Sequence, residues 1–366
     1  MKTNITAAYI HIPFCQTICT YCDFCKMFYK KEWTIKYLNA LKEEITKYYR
    51  GEYLDTIYIG GGTPSVLDVN ELEELLKIVS YFNKNNNYEY TFECNVENIT
   101  EEKLYLLKKY GVNRLSIGVQ TFNTKYLKYL NRHHDNEEVI KKINIAKKIG
   151  FKNINIDLIY ALKNETLKDL EYDLDMFLKL NINHISTYSL IIEPNTILDI
   201  NNEKNISEES DYEMYKLINK KLNSNGYKRY EVSNFAKEGY ESRHNLTYWN
   251  NKCYYGFGLG AAGYIDNIRY TNTRSLKNYL NGMYRIEEEI LDEKKILENE
   301  FILGFRKAKG INKNEFCGKY NTKIEDNYNI MRLIEKGKLI DDGSNIYIDE
   351  KYVYTMNSIL INFIGE

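Results

Sequence analysis

Tyr9-Ile10-His11-Ile12-Pro13-Phe14-Cys15, followed by Cys19, Cys22 and Cys25, is the stretch on which the reading of this chain turns. Four of the seven cysteines fall between residues 15 and 25. The apolar run from Ala7 to Ile12 predicts a strand, and Pro13 ends it because a proline cannot donate to the ladder. The cysteines then sit in the loop beyond the C-terminal end of a strand, which is where a βα protein places its chemistry. Cys15, Cys19 and Cys22 are spaced C-x3-C-x2-C. Thiolates are the protein ligands of iron–sulfur clusters, and a short loop can wrap three of them round one face of a [4Fe–4S] cube. A tetrahedral zinc site that also uses Cys25 is the competing reading of the same letters. Disulfides fit poorly with an odd cysteine count and such crowding.

A cluster held by three thiolates leaves one iron open. The amino and carboxylate groups of S-adenosylmethionine (SAM) can chelate an open iron, and a reduced cluster can pass one electron into the sulfonium, which is cofactor chemistry.

At 366 residues the chain can form one barrel-sized domain and a smaller second one. A net charge of −1 and a pI near 6.6 give no footprint for nucleic acid or an anionic membrane. No apolar run is long enough to span a bilayer. Met1-Lys-Thr-Asn-Ile carries no apolar signal core, so a reducing cytoplasm is the expected location. With 35 tyrosines, matches on common letters carry little weight. The three prolines carry more: Pro13 ends the first apolar run, Pro64 follows a glycine triplet, and Pro194 closes Ile191-Ile-Glu-Pro194.

From residue 7 to about 230, β-branched runs alternate with amphipathic stretches, the pattern of a parallel α/β sheet. Six strands are expected, at Ala8–Ile12, Thr56–Ile59, Tyr90–Glu93, Arg114–Gly118, Ile154–Ile159 and His184–Leu190. Six units rather than eight point to an open barrel. The second strand runs into Gly60-Gly61-Gly62-Thr63-Pro64-Ser65, where bare backbone can approach a ligand or simply make a tight turn. Glu93, Gln120 and Asp157 stand at strand ends where a barrel core would prefer Val or Leu, and buried carboxylates need partners. Arg132 offers a bidentate cation nearby. His133 and His134 read as solvated loop residues, and Cys94, Cys253 and Cys317 as inert thiols.

Taken together these strings resemble the radical-SAM family, in the branch that holds oxygen-independent coproporphyrinogen oxidases and haem chaperones. The resemblance implies a partial (β/α)6 TIM-like barrel, with Cys15, Cys19 and Cys22 on a [4Fe–4S] cluster. It implies SAM contacts at Tyr9, Gly61, Gly62, Thr63, Glu93, Gln120, Arg132, Asp157 and Ile191. Tyr160-Ala161-Leu162-Lys163 departs from the branch, which has Gly and Pro at the second and fourth positions, and reads as drift in a loop. His244-Asn-x-x-Tyr248-Trp249 resembles the string that marks the chaperones, which implies haem contacts at His244, Tyr248 and Trp249 and delivery of haem to an acceptor protein. From the residues alone, this string and the glycines from Gly256 to Gly263 fit either a flat-ligand site or a strand pair packed on a core histidine. The rival is the oxidase itself, in which a deoxyadenosyl radical attacks propionate side chains. It carries a fourth cysteine where this chain has Phe24, and a substantial extension where only 14 residues precede Cys15.

Three segments are expected: 1–230 as the barrel, 231–284 as a connecting segment with the His244 string, and 285–366 as a small helical, winged-helix-like domain. That last segment holds 13 Lys/Arg against 16 Asp/Glu, which removes the usual cationic face for DNA; the resemblance implies a lid or partner surface instead.

Overall fold

The computed structural model describes residues 4–365. Strand β1 (Ala7–Ile12) forms where Pro13 ends the apolar run. It pairs in parallel with β2 (Leu54–Gly61), and the series continues through β3 (Lys84–Asn95), β4 (Arg114–Gln120), β5 (Asn153–Tyr160) and β6 (His184–Ser189). All six expected strands are present in the expected order. Helices α1 (Lys31–Tyr48), α2 (Val69–Val79), α3 (Glu101–Lys109), α4 (Thr124–Tyr129), α5 (Asn136–Ile149), α6 (Leu167–Lys179) and α7 (Glu208–Ser224) run between the strands and after β6. Their starts are set by side-chain caps: Asp68 and Thr166 form capping boxes, and Thr100 and Asp135 accept from the third residue of their helices. Each such cap stabilises by about 1 kcal/mol.

Three short strands extend this sheet to nine: β7 (Lys228–Arg229), β8 (Asn234–Ala236) and β9 (Tyr255–Phe257). The order is β9-β1-β2-β3-β4-β5-β6-β8-β7, with two ends, so the barrel is open. Strand β9 joins the far edge, parallel to β1. It is fixed there by the buried Glu44 of α1, which accepts from Gly258 N at 2.8 Å, Asn272 Nδ2 at 2.6 Å and Tyr279 OH at 2.6 Å.

Residues 231–284 therefore belong to the main body, whose apolar core runs from Ile5 to Leu291. The glycines from Gly256 to Gly263 are packed against protein. A Cβ on Gly256 would lie 1.9 Å from Ala262 O, and one on Gly263 would strike the Tyr270 ring. Ala262–Ile265, Ile268–Asn272 and Arg285–Ile290 form an antiparallel sheet. Arg285–Ile290 corrects the expectation that the chain turns helical at 285. Its run of glutamates reads as helix, but Arg269 pairs across to Glu289, and cross-strand pairing outweighs propensity. A second core, Phe301 to Phe363, holds the C-terminal helices and a three-stranded sheet, a winged-helix-like layout. The sequence pattern of Tyr352–Ile364 predicts one closing helix, but the segment is broken into short turns around Asn357–Leu360.

Ala161, in the string that departs from the branch, has φ +63° and is buried. An L side chain there costs roughly 1 kcal/mol against glycine. Ala161→Gly is therefore expected to raise the urea midpoint by an amount worth about 1 kcal/mol at unchanged m.

Candidate cluster and cofactor site

Pro13 turns the chain out of β1 into the cysteine loop, and backbone bonds fold the loop back: Met27 N donates to Pro13 O at 2.8 Å and Tyr29 N to Cys15 O at 2.9 Å. On its other side the loop is held by the segment after α4. Asn131 Nδ2 donates to Ile18 O at 2.8 Å and Thr20 Oγ1 to Tyr129 O at 2.9 Å. Buried His11 reaches across to hydrogen-bond Cys25 O at 2.7 Å. Burial lowers the His11 pKa to about 4, so it serves as a neutral strut.

Cys15, Cys19 and Cys22 line one cavity of about 450 Å³, within the usual range for a small-molecule site. Cys25 does not line it. It packs against Gly260 and Arg274 instead, beside a separate depression. Among the described residues no three ligating side chains are drawn together round a point. The thiols share a wall, and desolvation pushes Cys15 up to about 11 and raises Cys22, so both need a cation to become thiolates.

The glycine triplet closes the next wall. Gly62 N donates to Ile12 O and Thr63 N to Phe14 O, both at 2.8 Å, which lays the triplet along the start of the loop. A Cβ on Gly62 would lie 2.8 Å from the Pro13 carbonyl carbon and 2.9 Å from Cys15 Sγ. Only a bare α-carbon fits there. Thr63 Oγ1 lies 3.5 Å from Cys15 Sγ.

Gly61, Gly62, Thr63, Glu93, Gln120, Arg132, Asp157 and Ile191 all line the cavity. Tyr9 does not: its hydroxyl bonds His11 Nδ1 at 3.0 Å behind that wall. Glu93 accepts from Tyr58 OH at 2.6 Å and Gly61 N at 3.0 Å. Burial raises Glu93 to about 7, so a cation or a pair of hydroxyls arriving there meets a carboxyl ready to ionise. Burial likewise raises Asp157, against hydrogen bonds from Asn155 and Ser186. Gln120 sits at φ +71° where β4 slips its register against β5; strain of this kind gathers at ligand clamps. Arg132 Nη2 donates to Gly118 O at 2.5 Å, and Nη1 stands 3.8 Å from Cys19 Sγ.

His134 is buried, with Nδ1 3.4 Å from Glu97, while His133 is exposed as expected. Against its own burial, Glu97 is held at about 2 by His134 and Arg132. Tyr58, Arg114, Ser116 and Asn155 also line the cavity and were not anticipated. Alternation along Arg114-Leu-Ser116-Ile-Gly118-Val-Gln120 carries the signal, since a strand sends every second residue to one face.

Helix α8 (Arg243–Trp249) carries the His244 string and lies at the other end of the strands. His244 N bonds Glu89 at 3.0 Å, and the ring bonds Thr56 Oγ1 at 2.8 Å and Tyr248 OH at 2.7 Å. Thr56, Tyr58 and Gly60 share one face of β2. Tyr58 connects the two ends: it donates to Glu93 and packs 5.1 Å from the His244 ring. His244, Tyr248 and Trp249 are not among the residues lining the cavity.

The donor set fits the expected cofactors. Three thiols on one wall suit iron and sulfide. The glycine wall, the strained Gln120 and the buried Nε of Arg132, which lacks a partner, leave polar groups for a ligand to complete. Residues 9–177 match the Radical SAM superfamily. The chain is 39% identical to the heme chaperone HemW of Bacillus subtilis (strain 168), over 98% of this chain and 99% of that one. It is 40% identical to the heme chaperone HemW of Lactococcus lactis subsp. lactis (strain IL1403), over 100% and 98%. The chain belongs to the HemW family of radical SAM proteins. The Escherichia coli (strain K12) heme chaperone HemW is 31% identical over 100% of both chains. The coproporphyrinogen III oxidase structure from Escherichia coli, described as a radical SAM enzyme, superposes with a TM-score of 0.86 at 23% identity, covering 99% of this chain and 90% of that one. The fold is therefore shared with the oxidase.

Membership of this family brings a [4Fe–4S] cluster and SAM, and when bound they supply one-electron reduction of a sulfonium. The chain's own part is to place three thiols on one wall, with Cys15 buried and Cys19 and Cys22 half-buried. Among the described residues no helix is long and apolar enough to cross a membrane.

Proposed function

We propose that this chain is a haem chaperone of the cytoplasm, which binds haem and passes it to an acceptor protein. Cys15, Cys19 and Cys22 hold the cluster, and Gly61, Gly62, Thr63, Glu93, Gln120, Arg132, Asp157 and Ile191 form the SAM pocket. The observation that carries the reading is identity of 31–40% along whole chains with proteins named heme chaperone HemW. Phe24 and Ile191 rim the cavity at 62% and 61% exposure. Apolar side chains so exposed beside a polar cleft suit a flat, greasy ligand. Tyr9 acts through His11, holding the loop rather than touching SAM. The fold uses both ring nitrogens of His244, on Thr56 and Tyr248, so this histidine holds its helix in place rather than ligating haem iron.

The test is a haem titration of the reconstituted protein, run beside an anaerobic oxidase assay with coproporphyrinogen, SAM and a reductant. A saturable Soret change with no decarboxylated product is expected. Turnover of coproporphyrinogen without haem binding would replace the chaperone by the oxidase.

A further inference from the structure

The inner wall continues past the SAM residues. Arg114 opens β4 six residues before Gln120, about 20 Å along the strand at roughly 3.3 Å per residue, and still lines the same cavity. It is 2% exposed. Its guanidinium makes no hydrogen bond or ion pair with any described residue, and Nε is buried without a partner. Glu93 and Asp157 feel its charge through space but stay beyond ion-pair distance. Arg132, by contrast, is tied to Gly118 O and stands 3.7 Å from Glu97. Ser116 of β4 lies on the same face as Arg114, and Asn245 of α8 also lines the cavity. A buried cation left unpaired is strongly unfavourable, and a planar fork of donors matches a carboxylate.

We infer that Arg114 is a carboxylate anchor, holding an acid group of a second ligand that enters the cavity beside SAM. The carboxylate of SAM does not meet this need, since chelation keeps it at the cysteine end. Resting on the chaperone reading, the acid group is a propionate of haem; a free small carboxylate offers the same chemistry.

The test compares haem with its dimethyl ester on the reconstituted wild type, Arg114→Lys and Arg114→Gln, with cluster content and SAM binding measured in each. Arg114→Gln is expected to weaken haem by tenfold or more, and Arg114→Lys by a few fold, as loss of a charged hydrogen bond implies. The ester should bind all three proteins alike and as weakly as haem binds Arg114→Gln. Equal haem affinity across the three overturns the inference. If Arg114→Gln does not fold, haem and ester binding equally well to wild type overturns it. If wild type binds neither porphyrin, the chaperone reading fails separately, and succinate decides the anchor. A melting point raised by succinate in wild type, less in Arg114→Lys and not in Arg114→Gln sustains it as a free-acid site, and no rise in wild type removes it.

Discussion

Cys22→Ser is expected to give a folded chain that takes up no [4Fe–4S] cluster. Anaerobic reconstitution of the wild type should yield about four irons and four sulfides per chain, and the variant should stay close to colourless. Folding does not hang on the cluster, because the loop is tied down independently by Asn131 to Ile18 O, Thr20 to Tyr129 O and the His11 bond to Cys25 O. On the proposed ligand set cluster binding draws on all three thiols of one wall, and an alcohol at the third position cannot replace a thiolate. Cys25→Ala is the matched control. Its side chain packs on Gly260 and Arg274, away from the other three, so iron and sulfide should be retained in full. A Cys25→Ala protein that loses its metal, or a wild type that returns one zinc per chain, would hand the loop to the four-thiolate zinc site.

Much of this site was legible because its letters are rare or misplaced. Cysteines at tight spacing, Pro13 after an apolar run, a glycine triplet and carboxylates at strand ends each violate what a plain barrel needs, and each turned out to face one cavity or shape its wall. Strand β9 was not legible, since it pairs with β1 across more than 240 residues of chain and only three residues long; no local pattern encodes such a partner. Arg285–Ile290 was misread because its glutamates favour helix locally and strand only through Ile268–Asn272. Arg114 was hidden for a different reason. An arginine at the start of a strand ordinarily reads as its exposed end, and only the assembled barrel shows that this one points inward.

His244→Ala is expected to destabilise the chain by about 3 kcal/mol, the cost of an emptied buried site plus two stranded hydroxyls. The ring is 1% exposed and bonded at both nitrogens, to Thr56 and Tyr248, while its backbone N–H meets Glu89. It thus fastens α8 across the starts of β2 and β3. Burial lowers its pKa to about 3, well under the value near 6.5 of an unfolded histidine. The unfolded chain therefore binds a proton that the folded chain refuses, so stability from this group is full above about pH 6.5 and drains away as pH falls toward 3, by up to about 1.4 kcal/mol per unit. Urea midpoints measured across that window should fall more steeply in wild type than in His244→Ala. The Soret band of the haem-loaded variant should keep its wild-type position, since an imidazole committed at both nitrogens has no lone pair for iron. A variant with wild-type melting and a displaced Soret band would reverse the assignment, making His244 an iron ligand whose hydroxyl partners let it go when haem arrives.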